Sequence, residues 1–329
     1  MTRFLIHPFT LVCVLTAVCA FAIEPKKKGT IMNMDRPSAD SLLEEGDSTF
    51  QRKEYAAAFA VYEQAASAAR DEFNRPVEVE AVSQMSRMCL LTNRPDDARK
   101  YLAEAASRAT DSDSMGWSRY LGVKGRVEWK SGDLKTARQT FEEMFDYCSL
   151  HDLWSRAVDA AHMVALVAET PEDQIEWSRK GIAIAESRET EHWLGPLWNN
   201  LGGIYYEMKK YDSALECYAT ARQYHWRFSD ERSKLVADYH VGMTYRFLGD
   251  YKEAETWLRP VLAWAERLQD HDMIGQSCED LGEAAIGLGR KAEGVTLLQR
   301  ARDEYKLAGY ETNAPELWEN INKRLEALK

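Results

Sequence analysis

Small residues recur along this chain at fixed distances from aromatic and other apolar residues, with polar residues between them. The stretch LWNNLGGIYYEMKKYDSALECYATA, residues 197–221, shows the pattern most fully. Its first half places four residues at the i, i+3, i+4 and i+7 spacing of one helix face: Trp198, Leu201, Gly202 and Tyr205. After the turn MKKY, a second helix face follows: Ala214, Tyr218 and Ala221. The spacing predicts two antiparallel helices that cross closely at Gly202 and Ala214.

The same two-helix unit returns with a period of 37–40 residues. Other units also have a small residue in the first helix and another twelve positions later in the second: Gly46 and Ala58, Ser86 and Ala98, Gly125 and Ala137, Gly242 and Ala254, Gly282 and Gly294. The turns between the two helices align without a gap: RKEY, TNRP, SGDL, AETP, MKKY, LGDY and LGRK. A period of this length is typical of a solenoid, in which each unit packs on its neighbours.

This arrangement of small and aromatic residues resembles the tetratricopeptide repeat. The segments WNNLGGIYYEMKKYDSALECYATA and YHVGMTYRFLGDYKEAETWLRPVLAWAERL carry the resemblance, which extends over residues 39–309. The long period resembles the branch of the family found in kinesin light chains and several bacterial regulators. The resemblance implies an all-α, right-handed superhelix of about seven helix-turn-helix repeats over residues 38–314. The segment PELWENINKRLEALK, 315–329, is predicted to form a C-terminal capping helix.

The fourth repeat, at 155–190, departs from the pattern. His162 takes the place of the small residue in the first helix, and Gln174 takes the place of alanine in the second. Two interpretations remain open for this unit. It either kinks the superhelix, or it is a diverged repeat that its neighbours hold in place.

The N-terminal segment differs from the rest of the chain. An apolar run of 14 residues, Phe9–Ala22, ends in small residues at the −3 and −1 positions of a cleavage site. The pattern predicts a secretory signal peptide (1–22) and a tether (23–37), hence a protein exported to a bacterial periplasm or secreted, with no stable membrane span after cleavage. Lys26, Lys27 and Lys28 oppose translocation, so a membrane anchor formed by an uncleaved segment is the alternative.

Composition narrows the possible functions. A formal net charge of −11 over 329 residues argues against non-specific binding to nucleic acid or anionic lipid. The four cysteines after the signal segment lack metal or redox spacing, and the histidines never form an HExxH motif. No phosphate-binding loop, nucleophile elbow or dinucleotide fingerprint occurs. We therefore expect no cofactor, no metal and no catalytic residue.

The resemblance also implies a ligand site on the concave surface that the first helices line. In the third repeat, the groove positions of the family fall on Arg126, Trp129 and Lys130, with Gly122 and Val123. In the fifth repeat they fall on Asn199, Asn200 and Tyr206, with Gly203 and Glu207. In the sixth they fall on Tyr239, His240 and Arg246, with Met243 and Phe247. An asparagine amide suits the backbone of an extended peptide, although a solvated or locally capping asparagine is the plainer interpretation.

Charge varies along this predicted groove. Repeats two to four carry five basic residues, Arg87, Arg119, Arg126, Lys130 and Arg156, against Glu80 and Asp159. The first and last repeats are acidic there, with Asp40, Glu44 and Asp47 at one end and Glu279, Asp280 and Glu283 at the other. Guanidinium groups suit carboxylates, so a partner with an acidic segment or a free C-terminal carboxylate is one prediction. The alternative is that these bases balance neighbouring acids.

The sequence thus predicts a non-catalytic scaffold that binds a peptide or a partner's helix in its groove. A sensor whose superhelix changes shape on binding a small ligand or peptide is the alternative. The absence of catalytic motifs argues against an enzyme. The partner's identity and the oligomeric state stay open.

Overall fold

The computed structural model describes residues 37–329, so the predicted signal peptide and nearly all of the predicted tether lie outside the described residues. Within this range the chain forms sixteen α-helices, one short 3₁₀ turn at Glu191–Trp193 and no strand. The helices are α1 (Ala39–Gln51), α2 (Tyr55–Asp71), α3 (Arg75–Leu91), α4 (Pro95–Ala106), α5 (Ser114–Lys130), α6 (Leu134–Leu150), α7 (Trp154–Val167), α8 (Pro171–Ser187), α9 (Leu194–Glu207), α10 (Tyr211–Phe228), α11 (Glu231–Leu248), α12 (Tyr251–Leu268), α13 (His271–Gly287), α14 (Lys291–Leu307), α15 (Tyr310–Asn313) and α16 (Pro315–Ala327). The predicted all-α architecture of seven helix pairs and a C-terminal capping helix is confirmed.

The turn inside each helix pair has one conformation in six of the seven repeats. Its second residue has a positive φ between 56° and 88° at six aligned positions: Lys53, Asn93, Gly132, Lys209, Gly249 and Gly289. A left-handed residue at this point ends the first helix and lets the second run back along it. Glycine takes this conformation without the cost that a side chain adds, and three repeats use it.

Small residues sit where the two helices of a pair cross, as predicted. A Cβ atom on Gly202 would lie 2.8 Å from the ring of Tyr218, and one on Gly125 would lie 2.5 Å from Phe141. At the matching position of the second repeat, the Ser86 hydroxyl donates to the carbonyl of Ala98 across the crossing, at 2.7 Å. In these three repeats, close approach of the helices therefore depends on side chains no larger than serine.

The fourth repeat is the exception in local geometry as well as in sequence. Its turn AETP lacks the left-handed residue, because Ala168 adopts an extended conformation and Pro171 begins α8. The imidazole of His162 is buried at the place that glycine holds elsewhere. The side-chain amide of Gln174 donates to the Ala168 carbonyl at 3.2 Å and so supports the altered turn.

Contacts divide the chain into two compact units, and the boundary falls directly after this repeat, between Trp193 and Leu194. The N-terminal unit, described from residue 37 to 193, holds repeats one to four. Ser38 caps its first helix by accepting from the Ser41 amide at 3.2 Å. The C-terminal unit, Leu194–Lys329, holds repeats five to seven and α16. Ile321 and Leu325 of α16 are buried in its core, as expected of a capping helix.

None of the helices in the described part of the chain is both long enough and apolar enough to cross a membrane.

Candidate binding surface on the first helices

The predicted groove residues all lie on first helices, and we call the surface that these helices share the first-helix face of each unit. In the N-terminal unit this face comprises α1, α3, α5 and α7, and in the C-terminal unit α9, α11 and α13. Five of the twelve predicted residues are buried: Arg87, Arg119, Arg156, Tyr239 and His240. Six are half-buried, namely Arg126, Trp129, Asn199, Asn200, Tyr206 and Arg246, and Lys130 is exposed.

In the N-terminal unit, Glu80 of α3 lies between two of the predicted arginines. Its Oε2 atom is 3.4 Å from Nε of Arg119 on α5 and accepts from Nη2 of Arg156 on α7 at 2.5 Å. The Arg156 guanidinium also donates to the Ser118 hydroxyl and the Met115 carbonyl of α5. Arg156 therefore reaches across the intervening repeat and connects three first helices through one carboxylate.

A second ion pair joins repeats three and four. Nη2 of Arg126 donates to both carboxylate oxygens of Asp159, at 2.7 and 2.9 Å, and Nη1 donates to the Gly122 carbonyl. Burial opposes the ionisation of Asp159, but the nearby charges of Arg126 and Arg87 outweigh it and lower the pKa of this carboxyl. Beside it, burial lowers the pKa of His162 to about 4, so this imidazole is neutral at pH 7.

The first and second repeats are joined through Asp47 of α1. Its Oδ1 atom accepts from the Tyr62 hydroxyl at 2.6 Å and from the Gln84 amide at 3.1 Å, and its Oδ2 atom is 3.6 Å from Arg119. Burial, and after it the charge of Asp47, raises the pKa of Tyr62, so the hydroxyl keeps its proton and acts as a donor. Arg87 places its guanidinium 4.6 Å from the ring centre of Phe50.

These contacts show which groups are paired with the basic residues of repeats two to four. Arg119, Arg126 and Arg156 are each paired with a carboxylate of the same face, and the pairs are largely buried. The alternative in which bases balance neighbouring acids therefore describes these three side chains, although inside the fold rather than on solvated helices. Lys130 differs, since it is exposed at the end of α5 with its ammonium 5.7 Å from the ring centre of Trp129.

In the C-terminal unit, the corresponding links are mostly hydrogen bonds that involve an uncharged partner. Oδ1 of Asn199 lies 2.7 Å from Nδ1 of His240, and the imidazole stacks on Tyr218 with ring centres 4.7 Å apart. Burial, with a smaller contribution from His225, lowers the pKa of His240 to about 3. A neutral imidazole that donates from Nδ1 satisfies the asparagine oxygen, so Asn199 serves a contact inside the protein.

Repeats six and seven are joined through Asp280 of α13. Its carboxylate accepts from the Tyr239 hydroxyl at 2.7 Å and from Nε of Arg246 at 2.7 Å. The Arg246 guanidinium also lies 3.6 Å from the ring centre of Phe247, whose ring meets that of Tyr206 edge-on at 4.9 Å. Tyr206, Phe247 and Arg246 thus form a half-buried aromatic and cationic strip on this face.

Some partners in these links were not singled out by the sequence, above all Tyr62, Gln84 and Ser118. The signal that finds the network is register: Glu80, Arg119 and Arg156 each lie six positions before the small-residue position of their repeat. In the C-terminal unit, the residue three positions before that point bonds the residue two positions before it in the next repeat. Asn199 with His240 and Tyr239 with Asp280 follow this rule.

The described residues offer little for metal or thiol chemistry. No group of three or more histidine, cysteine, aspartate or glutamate side chains between residues 37 and 329 is arranged to hold a metal ion. The four cysteines in this range, Cys89, Cys148, Cys217 and Cys278, are buried and unbridged. Burial raises the pKa of Cys148 to about 12 and that of Cys278 to about 11, which disfavours a thiolate nucleophile at either.

Comparison with known families identifies two of the repeats. Models of the tetratricopeptide repeat match residues 195–221 and 239–268, which are the helix pairs α9–α10 and α11–α12. A search of curated proteins with the sequence found no match.

Several solved structures share the fold at low sequence identity. A signal transduction ATPase with numerous domains, with a tetratricopeptide repeat sensor, from Pyrococcus horikoshii aligns over 88% of this chain with a TM-score of 0.68 and 15% identity. The chain spans only 44% of that protein's length. The apo form of RapI aligns over 82% of the chain and 76% of its own, with a TM-score of 0.65 and 13% identity. Aspartyl phosphate phosphatase F from Bacillus subtilis aligns over 81% and 70%, with a TM-score of 0.56 and 13% identity.

Proposed function

We propose that this chain, two of whose repeats match models of the tetratricopeptide repeat, is a non-catalytic scaffold that binds a peptide or a partner's helix along its first-helix faces. One observation carries the proposal: the first helices of repeats three, five and six present a half-buried aromatic or basic side chain at the same position of the repeat. These side chains are Trp129, Tyr206 and Arg246. Such side chains are partly desolvated already, so a partner that covers them gains apolar contact at a small further cost in solvation.

The partner chemistry that we propose for the N-terminal unit is an acidic segment or a free C-terminal carboxylate. The support for it rests on Lys130, because Arg119 and Arg156 are buried and already paired with Glu80. Lys130 is exposed, and Trp129 beside it offers an apolar contact for the partner's neighbouring side chain. Arg126 is half-buried, and its bond to Asp159 would compete with a partner's carboxylate.

The chain contains a matched control for this proposal. Lys100 is also exposed and also lies near an aromatic ring, 5.8 Å from the centre of Tyr101, but it belongs to the second helix α4. A partner captured by the mature chain from its own cells is isolated and titrated against both lysine variants. We expect Lys130→Glu to weaken binding at least tenfold, about 1.4 kcal/mol, and Lys100→Glu to leave it unchanged.

Two further measurements separate the parts of the proposal. Amidation of the partner's C-terminus weakens binding only if the free carboxylate is recognised. Tyr206→Ala reports on the first-helix face of the C-terminal unit. Equal binding by the wild-type chain and by both the Lys130 and Tyr206 variants would exclude the first-helix faces as the docking surface.

A sensor is the second candidate function. Its support is the fold that this chain shares with a protein described as carrying a tetratricopeptide repeat sensor. A sensor changes its radius of gyration in X-ray scattering when a small ligand or short peptide is added, whereas a scaffold responds only to its macromolecular partner. The likeness to a protein named as a phosphatase shows the fold alone at 13% identity, and we propose no phosphatase activity from it.

We also propose that the protein is exported and that its signal peptide is removed after Ala22. The support is the apolar run with small residues before the cut. N-terminal sequencing of the protein from its own cells should then begin at Ile23. A full-length product whose body resists external protease in spheroplasts would favour the uncleaved anchor instead.

A further inference from the structure

Glu279 of α13 occupies an unusual place in the last repeat. Its side chain is half-buried, and its Oε2 atom accepts a hydrogen bond from the Tyr305 hydroxyl of α14 at 2.6 Å. The Tyr305 ring is almost completely buried and covers Gly275, where a Cβ atom would lie 2.6 Å from it. The same ring stacks on Tyr310 with centres 4.5 Å apart. Glu279 is therefore fixed against a rigid part of the core.

Glu279 has no ion-pair partner among the basic residues that lie near it in the described part of the chain, because these are paired with other carboxylates. On its own helix, Asp280 is paired with Arg246 of α11 and Glu283 is paired with Arg324 of α16. Tyr239 of α11 donates to Asp280, and Tyr310 of α15 donates to Asp272. No lysine or arginine within residues 37–329 forms an ion pair with Glu279.

The neighbouring helices α12 and α14 do not supply a cation either. The acidic residues that α12 carries towards α14, Glu255 and Glu266, pair with Arg290 and Arg300. Of three neighbouring carboxyl groups on α13, Asp280 is paired with Arg246 and Glu283 with Arg324. Glu279 has instead a hydrogen bond from the Tyr305 hydroxyl.

We infer that Glu279 is a proton-responsive contact between α13 and α14: its half-buried site, which lacks an ion-pair partner, favours the protonated carboxyl, and ionisation of this carboxyl weakens the last repeat. An ionised carboxylate at a half-buried site, beside a second carboxylate and without a cation, is unfavourable. Burial accordingly raises the pKa of Glu279 to about 7. The hydrogen bond from Tyr305 and the charge of Arg246 lower this pKa in part, and the charges of Asp280 and Glu283 raise it.

The sign of the pH dependence follows from this difference between the folded and unfolded states. In the unfolded chain a glutamate ionises with a pKa of about 4.3. Between about pH 4.3 and pH 7 the folded protein therefore binds the extra proton, and stability falls as the pH rises through this range. Above about pH 7.5 both states are ionised and the contribution of Glu279 no longer changes.

The test is the melting temperature of the full protein, measured between pH 5 and pH 8. Glu279→Gln keeps the shape and an oxygen that accepts from Tyr305 but cannot ionise. We expect the melting temperature of this variant to exceed that of the wild type by more at pH 8 than at pH 5. Glu266→Gln is the control, because it removes a carboxyl of α12 that is paired with Arg300 of α14, and it should keep the wild-type pH dependence.

Proton uptake is a second measurement, and it would not change if Glu279 had only a structural role. The potentiometric titration of the folded wild type, minus that of Glu279→Gln, should show one proton with a midpoint near pH 7. A midpoint below about pH 6 would overturn the inference. So would melting curves of the wild type and Glu279→Gln that shift in parallel over the whole range.

Discussion

The two units use one repeat frame but link their first helices differently. The position six residues before the small residue carries Glu80, Arg119 and Arg156 in repeats two to four. In repeats five to seven the same position carries Pro196, Val236 and Gln276. At this position the N-terminal unit therefore links its first helices through buried ion pairs. The C-terminal unit links them from other positions, through the Asn199–His240 and Tyr239–Asp280 hydrogen bonds and the Arg246–Asp280 ion pair.

The comparison shows that the position in the repeat determines where a side chain lies. The type of residue at that position determines whether its contacts reach the neighbouring repeat or the repeat beyond it. Arg156 contacts Glu80 across a whole repeat, and it passes α5 where Ser118 and the nearby Gly116 are small. The hydrogen bonds of the C-terminal unit join neighbouring repeats only. We therefore expect repeats two to four to unfold as one block and repeats five to seven to respond more locally.

The largest effect is expected from removal of the shared carboxylate. Glu80→Ala leaves Arg119 and Arg156 buried beside each other without their common partner, and breaking a buried pair costs about 3–5 kcal/mol. Urea unfolding measures the loss, and hydrogen exchange should place it in residues 37–193. The triple replacement of Glu80, Arg119 and Arg156 by methionine is the control, because it removes the charges together and should recover most of the stability. A loss below about 1 kcal/mol in Glu80→Ala would mean that the network does not hold the unit together.

A smaller effect is expected at the helix crossing of repeat five. Gly202→Leu forces a branched side chain against the Tyr218 ring, which already lies 2.8 Å from the position of a Cβ atom. Overpacking of this kind costs about 1–3 kcal/mol. Hydrogen exchange should rise first in α9–α11 and leave the N-terminal unit unchanged. Ala219→Leu on the exposed side of α10 adds the same side chain and should cost almost nothing; faster exchange in all repeats of Gly202→Leu would contradict the local response of the C-terminal unit.

The architecture could be predicted from the sequence because the same packing contacts recur in each repeat and are made by the same types of residue. Gly46, Gly125 and Gly202 lie against Tyr62, Phe141 and Tyr218, so small residues at one spacing and aromatic residues at another mark the same crossing. The turns were equally readable, even where Lys53 and Lys209 take the left-handed conformation that glycine takes elsewhere. The irregular fourth repeat was also visible, through His162 and Gln174.

The candidate surface was only partly predictable. The family frame correctly placed Arg119 and Arg156 on first helices, but their charge suggested a surface open to a partner, and both are buried against Glu80. The contact between Arg156 and Glu80 joins residues 76 positions apart, which no spacing within a single repeat reveals. The raised pKa of Glu279 was hidden for a similar reason, since it depends on which of three carboxyls obtains each guanidinium.

The smallest effect is expected at an ion pair that is exposed rather than buried. Arg324 of α16 holds both oxygens of Glu283 at 2.6 and 2.7 Å, but its side chain is 45% exposed. Water solvates both groups once the pair is broken, so Arg324→Ala should cost less than about 1 kcal/mol despite the good geometry. A double-mutant cycle with Glu283→Gln measures the coupling, and salt should reduce it because exposed charges are screened. Ile321→Ala in the buried face of the same helix is the control, and it should cost about 2–5 kcal/mol. If the Arg324–Glu283 coupling matched the loss in Glu80→Ala and resisted salt, burial would not be what separates the Glu80 ion pairs from this exposed pair.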